Sequence, residues 1–167
     1  ADATARGDRS HGAGARAAGG VAVAIEMDVT RRADADEAVA ETVAVLGRLD
    51  ILVNNAGIAK VKPMMELEEA DWDEHMAVNA KGVLFCSQAA ARQMIDQGEG
   101  GRIITILSTA ARLPSGRTTA LGAYVASKHA ALGLIQQMSQ EVAPHGILMN
   151  GVFPGIVDTP MLHEQMR

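Results

Sequence analysis

The chain has 167 residues, 48% of them hydrophobic, and a formal net charge of −5 at pH 7, which is enough apolar material for a globular core and excludes a wholly disordered chain. An acidic balance without runs of basic residues argues against nucleic acid or anionic lipid as a partner. No apolar stretch approaches the roughly 18 residues that span a bilayer, and the amino end lacks the apolar region of a signal peptide, so we expect a cytoplasmic protein without a membrane partner.

The amino-terminal part of the chain predicts an irregular leader followed by one strand and one helix. Residues 1–14 show no sustained helical or strand period, so we expect a poorly ordered leader there and one domain over 15–167. The β-branched apolar run at 21–27 is typical of a strand buried on both faces. Apolar residues then recur at helical spacing over 35–46, and Gly47 supplies a stop signal.

The middle of the chain predicts a second strand and a long interrupted helix. The apolar run at 50–54 ends in the turn-forming residues Asn54-Asn55-Ala56-Gly57. Residues 72–97 then have a helical pattern that Asn79 and Gly82 interrupt near its middle.

The last part of the chain predicts two more strands with a helix between them. A third strand covers 102–107 and is bounded by Ser108. The helix at 121–143 carries its apolar residues on one face. A fourth strand covers 147–153 and is cut by Pro154-Gly155.

Strands that alternate with helices of this length predict βαβ units and a parallel sheet covered on both faces. Because all strands of such a sheet point the same way, the residues that end them meet at one edge, where ligands bind. The residues expected at this edge are Asp28, Asn54, Asn55, Ala56, Gly57, Ser108, Pro154 and Gly155.

One pair of side chains on the predicted helix at 121–143 indicates proton transfer. Tyr124, the only tyrosine, precedes Lys128 by four residues, which places both on one face of the helix. A nearby ammonium stabilises a phenolate and so favours acid/base work by a phenol. Ser108 can reach the same space, where it and Tyr124 can hold a carbonyl or alcohol oxygen. A strand-ending serine is also a common turn former, and this pair alone is a weak motif.

Six short motifs follow one another along the chain. They are Asp28-Val29, Asn54-Asn55-Ala56-Gly57, Asn79-Ala80-Lys81-Gly82, Ser108, Tyr124-Val125-Ala126-Ser127-Lys128 and Pro154-Gly155. Taken in this order, they resemble the motif series of the short-chain dehydrogenase/reductase family, and the resemblance covers about residues 15–167. It implies an α/β fold: a three-layer, doubly wound, Rossmann-like parallel sheet, here incomplete at both ends.

The resemblance implies an oxidoreductase that interconverts a secondary alcohol and a ketone by hydride transfer, with NAD or NADP as cofactor. Tyr124 would exchange a proton with the substrate oxygen, and Ser108 would hydrogen-bond that oxygen. Lys128 would bind the nicotinamide ribose and favour the Tyr124 phenolate. Asn79 would position a water that continues the relay. The family also implies a homodimer or homotetramer.

The resemblance further implies a set of residues that contact the dinucleotide. Asp28 would contact the adenine, and Thr159 would bind the nicotinamide carboxamide. The full set is Asp28, Val29, Asn54, Asn55, Ala56, Gly57, Tyr124, Lys128, Pro154, Gly155, Val157 and Thr159.

The chain departs from the family at three places. The family's amino-terminal strand and glycine-rich phosphate turn are missing, and we expect Gly7, Gly12 and Gly14 to lie in a loop. The carboxyl-terminal part that covers the substrate is also missing. The loop after Ser108 is longer than is common and adds the polar residues Arg117, Thr118 and Thr119, which favours a polar substrate such as a polyol. Without its usual neighbours, the strand at 21–27 should pack abnormally, or the chain is part of a longer protein.

Other functions compete with this one. A non-catalytic remnant or scaffold of the same fold, unable to hold the dinucleotide tightly, is one alternative. An epimerase or dehydratase that uses Tyr124 and Lys128 is another. The five histidines show no spacing typical of a metal site, so no metal is expected, and Cys86 is expected to be a buried structural thiol.

Overall fold

A computed structural model of the protein describes residues 17, 19–112 and 120–159. The predicted leader at 1–14, which contains Gly7, Gly12 and Gly14, lies outside the described residues. So do Arg117, Thr118 and Thr119 of the extended loop.

The described residues alternate between helices and strands, as the apolar pattern predicts. The elements are α1 (Arg32–Leu46), β1 (Ile51–Asn54), α2 (Glu69–Met76), a π-helical segment (Ala77–Lys81), α3 (Gly82–Gln97), β2 (Gly101–Ile106), α4 (Gly122–Val142) and β3 (Ile147–Val152). Short 3₁₀ turns lie at Met64–Glu66, Thr109–Ala111 and Ala143–His145. Every helix and strand predicted from the sequence, except the strand at 21–27, is confirmed to within a few residues.

The three strands form a parallel sheet in the order β1-β2-β3. Ile51 lies opposite Arg102, and Gly101 lies opposite Ile147. The carboxyl ends of the three strands therefore meet at one edge, which confirms the predicted convergence of Asn54 with the residues that follow β2 and β3.

Helices α3 and α4 pack their apolar residues on one face of this sheet. Two buried clusters fill the space between the layers: Ala90, Ala91, Met94, Ile103, Val142 and Ile147 in one, and Val83, Leu107, Ala131 and Ile135 in the other. On the opposite face Ile51, Val53, Leu148 and Val152 are each about half exposed. Within the described residues, the expectation of helices on both faces is thus met for one face only.

The predicted strand at 21–27 is wrong. This segment forms no ladder with β1, β2 or β3, and only Met27 has a single bridge. Val21 is 79% exposed, and Val23 is 38% exposed. An isolated strand cannot satisfy its backbone groups without a neighbour, so a β-branched run alone does not make one. The segment instead continues into the turn that begins at Asp28.

The amino ends of β2 and β3 are held together by a close backbone contact between two glycines. Gly100 and Gly146 both have left-handed φ angles, +71° and +72°. A Cβ at Gly100 would lie 2.5 Å from the Gly146 carbonyl oxygen. Only glycine allows both the conformation and the approach at position 100.

Candidate active site

The end of β1 is fixed by the buried side chain of Asn54. Its Nδ2 donates to Ser87 Oγ at 2.9 Å and to Thr105 Oγ1 at 3.2 Å. These bonds join β1 to α3 and β2 in the interior. Asn54 is expected to line the cofactor, and its amide nitrogen is used in bonds inside the protein.

Asn79 lies in the π-helical segment between α2 and α3, where the amide of Gly82 bonds the carbonyl of Ala77 five residues back. Its side chain is fully buried. Oδ1 accepts from the Ile58 amide at 2.8 Å, and Nδ2 donates to the Ile58 carbonyl at 2.9 Å and to Ser127 Oγ at 2.9 Å. The interruption predicted at Asn79 therefore exists, and it ties the chain after β1 to α4.

Tyr124 and Lys128 occupy the first two turns of α4, as predicted. Between them Ser127 Oγ donates to the Tyr124 carbonyl at 2.8 Å while accepting from Asn79. Lys128 Nζ donates to the Ile106 carbonyl at 2.8 Å and lies 5.7 Å from the centre of the Tyr124 ring. The ammonium is thus held between the end of β2 and the face of the phenol.

Burial changes the acidity of this lysine. Lys128 is 6% exposed. Desolvation of the charged form lowers the pKa of Lys128 to about 8 from its ordinary 10.5. A lysine with this pKa is well suited to share a proton near neutral pH.

Gly57 brings the turn after β1 next to this lysine. A Cβ at Gly57 would lie 3.2 Å from Asn79 Oδ1 and 3.5 Å from Lys128 Nζ. A side chain at position 57 would therefore crowd Asn79 and would contact Lys128.

Ser108 lies two residues beyond β2 and caps the short turn Thr109–Ala111 by accepting from the Ala110 amide at 3.2 Å. A hydroxyl that accepts one bond keeps its own hydrogen to donate. The Thr109 amide donates to the Pro154 carbonyl at 3.0 Å, so Ser108 and Pro154 are neighbours at the carboxyl edge of the sheet. Among the hydrogen bonds of the described residues, none joins Ser108 directly to Tyr124.

The remaining predicted cofactor residues lie at the two flanks. Asp28 Oδ1 accepts from the amide and the hydroxyl of Thr30 at 2.9 and 2.8 Å, and so caps the turn that leads to α1. Val29 packs against Gly82 at the start of α3.

On the other flank, Gly155 and Val157 are exposed in the turn after β3. The Thr159 hydroxyl donates to the Val157 carbonyl at 3.4 Å. Asn55 is exposed and Ala56 half-buried in the turn after β1.

Sequence reasoning missed three buried polar groups of the site. Ser127 links Asn79 to Tyr124, and Ser87 with Thr105 anchors Asn54. The only available signal was polar residues in otherwise apolar stretches, which is weak because solvated positions show the same pattern.

The fold is that of the α/β proteins with a parallel sheet, and comparison with known proteins makes this class more specific. The family model described as short chain dehydrogenase matches residues 6–167. The chain therefore belongs to the short-chain dehydrogenase/reductase family, which confirms the resemblance and the Rossmann-like parallel fold.

Individual relatives support this assignment. Sorbitol dehydrogenase of Cereibacter sphaeroides is 43% identical over 141 residues, 84% of this chain and 54% of that protein. The chain is also similar to two crystal structures. Acetoin dehydrogenase from Enterobacter cloacae has a TM-score of 0.83 and 40% identity, over 92% of this chain and 60% of that one. A gluconate 5-dehydrogenase from Burkholderia cenocepacia, in complex with NADP and tartrate, has a TM-score of 0.83 and 38% identity, over 91% of this chain and 58% of that one. The chain spans about half the length of the curated relatives it matches.

The described parts of the chain contain no helix with the length and apolar character needed to cross a bilayer. In the same parts, His, Cys, Asp and Glu nowhere form a group of three or more that could hold a metal ion.

Proposed function

We propose that the protein interconverts a secondary alcohol and a ketone by hydride transfer with NAD or NADP. The observation that carries this proposal is the position of Lys128: a buried ammonium 5.7 Å from the Tyr124 ring and directly beside the Gly57 backbone. A phenol and a lysine in this arrangement form a proton-transfer pair at the carboxyl edge of the sheet.

Each side chain has a distinct part in the proposed reaction. The Tyr124 hydroxyl gives a proton to the carbonyl oxygen in reduction and takes one from the alcohol in oxidation. The Ser108 hydroxyl donates a hydrogen bond to the same oxygen, where negative charge develops. Lys128 stabilises the Tyr124 phenolate through its charge. Asn79 places the π-helical turn where its backbone can hold a relay water.

The residues present fit a nicotinamide dinucleotide. The absent Cβ at Gly57 lets the turn after β1 lie against Lys128 and Asn79, and the small Ala56 continues this turn. Lys128 and Tyr124 would hold the ribose there, with Asp28 and Val29 on the adenine side. When bound, the nicotinamide supplies or accepts the hydride. The remaining contacts would come from Asn54 and Asn55 through the backbone of their turn, and from Pro154, Gly155, Val157 and Thr159.

The proposed substrate is a small hydroxylated alcohol or ketone. Relatives named for sorbitol, acetoin and gluconate all take their names from small molecules that carry several oxygens. A homodimer or homotetramer remains the expected assembly.

Two measurements test this function. Titration with NADH and NADPH, followed by fluorescence, should show saturable binding of at least one of them, and sorbitol, acetoin and gluconate serve as the first substrates. Tyr124→Phe should lower turnover by at least about 100-fold and leave cofactor affinity nearly unchanged, because only the acid/base group is lost.

Ser139→Ala, near the far end of the same helix, is the matched control and should keep full turnover. Retained activity in Tyr124→Phe would overturn the assigned acid/base role. Absence of binding for both dinucleotides would leave the scaffold alternative for this chain.

A further inference from the structure

His75 is a buried histidine that makes two hydrogen bonds to the main chain. The residue lies in α2 and is 1% exposed. Its Nδ1 is 2.6 Å from the Asp71 carbonyl oxygen, and its Nε2 is 3.1 Å from the Lys60 amide nitrogen. A carbonyl can only accept and an amide N–H can only donate, so Nδ1 carries the hydrogen and Nε2 presents its lone pair. The two contacts together require the neutral ring in one tautomer.

His75 and Asn79 bind the same stretch of chain. They are four residues apart and therefore one above the other on the helix surface. Asn79 accepts a hydrogen bond from the Ile58 amide and donates one to the Ile58 carbonyl, and His75 accepts one from the Lys60 amide. Together the two side chains bond three backbone groups of this stretch.

The stretch in question, residues 57–62, is here called the clamped segment, and it runs between the site and α4. At its start Gly57 lies against Lys128. At its end Lys62 forms a bridge with Leu121, the residue before α4, and its amide donates to the Ala120 carbonyl at 2.7 Å. A shift of the clamped segment would therefore move the surface beside Lys128.

Ion pairs between partly exposed side chains also join the clamped segment to α2 and to Glu68, the residue before it. Lys60 pairs with Glu74, and Lys62 pairs with Asp71 and Glu68. All of these side chains are at least 20% exposed, so water and salt still compete for their charges and weaken the pairs. The bond from the Lys60 amide ends on a ring that is 1% exposed, so water competes for it less.

We propose that His75 is a positioning residue: its neutral Nε2 holds the Lys60 amide and thereby keeps the Gly57 backbone in place beside Lys128. The consequence for cofactor affinity rests on the proposed function, since Gly57 is there part of the dinucleotide surface. The effect on the clamped segment itself does not depend on any ligand.

The first test is hydrogen exchange of the Lys60 amide in the full chain, without cofactor. His75→Leu fills the space but accepts no bond, so exchange should become about tenfold faster. His75→Gln can place a side-chain oxygen near the Nε2 position and should restore most of the protection. His129→Leu is the matched control: its Nδ1 bonds the carbonyl of Val125, also four residues back, but its ring is exposed. It should leave Lys60 unchanged.

The second test reads the ring directly and does not require a variant to fold. Nitrogen NMR of the wild-type chain at pH 7 should show His75 as the neutral Nδ1–H tautomer. A charged ring or the Nε2–H tautomer would overturn the proposal, as would unchanged Lys60 exchange in a folded His75→Leu.

The third test measures NADH affinity. It should fall about tenfold in His75→Leu and recover in His75→Gln. If the wild-type chain binds no dinucleotide, the proposed function fails, whereas Lys60 exchange still decides the role of His75. If NADH affinity stays unchanged while Lys60 exchange accelerates, the link from the clamped segment to Lys128 is refuted.

Discussion

The buried ammonium of Lys128 predicts an unusual dependence of stability on pH. Burial lowers the pKa of Lys128 from 10.5 to about 8 in the folded chain. Between these two values the unfolded chain binds more protons than the folded one, so the free energy of unfolding rises with pH. Below about pH 8 the cost of the buried charge is fully present, and it disappears as pH rises through 10.5. This cost corresponds to about 3 kcal/mol at pH 7.

Lys128→Met isolates this contribution. The methionine fills the same space and does not titrate, although it leaves the Ile106 carbonyl without its bond to Nζ. The free energy of unfolding of the wild-type chain minus that of Lys128→Met should therefore increase by about 2.5 kcal/mol from pH 7 to pH 10. Urea unfolding at several pH values, followed by circular dichroism, measures the difference.

The difference matters because Cys86, which was expected to be buried and is half-buried, opposes the trend. Burial raises the pKa of Cys86 to about 11 from 9.0, so the folded chain there holds the proton more tightly, and stability falls as pH rises above about 9. Wild type and Lys128→Met share this thiol, and its effect cancels in the subtraction. The error expected from such measurements is on the order of 0.5 kcal/mol. If the difference in the free energy of unfolding between wild type and Lys128→Met changes by less than this from pH 7 to pH 10, burial of the Lys128 charge does not destabilise the fold and the reasoning is refuted.

The remaining predictions concern glycines. Gly57→Ala places a methyl group 3.2 Å from Asn79 Oδ1, so fluorescence titration should show NADH affinity lowered at least about tenfold. Gly98→Ala, at φ +74° in open space, should cost roughly 1 kcal/mol in urea unfolding. Gly100→Ala adds a clash with the Gly146 carbonyl to the same backbone strain, so it should lower the free energy of unfolding clearly more than Gly98→Ala does. Equal losses in the two variants would contradict the close contact between Gly100 and Gly146. Gly133→Ala, inside α4 with free space around it, should raise stability by about 1 kcal/mol.

Much of the fold could be predicted because apolar runs and helical spacing report burial. The alternation from α1 to β3 and the interruption at Asn79 followed from local residue types alone. The segment at 21–27 could not be predicted in this way, because a β-branched run indicates a preference whereas a strand also requires a partner in space.

The candidate site could likewise be predicted only where local residue types decide the structure. Tyr124 and Lys128 could be paired from their spacing, because both are on one helix. The amide of Asn54 could not be assigned to the interior, since its direction depends on Ser87 and Thr105, distant in sequence. The role of His75 could not be predicted, because its partner is the backbone amide of Lys60, and a backbone amide leaves no pattern in the sequence.

The pairing pattern of the sheet also bears on how the chain reaches this structure. Ile51 pairs with Arg102 and Gly101 with Ile147, so each strand pair closes a loop that contains a whole helix. Helical turns form locally, whereas these ladders must wait until the intervening chain has collapsed, and sheets built from distant pairs fold slowly. During synthesis, β1 emerges long before β2 can pair with it. The apolar strands are then exposed to wrong partners, so growth temperature and chaperone supply should govern the yield of folded protein.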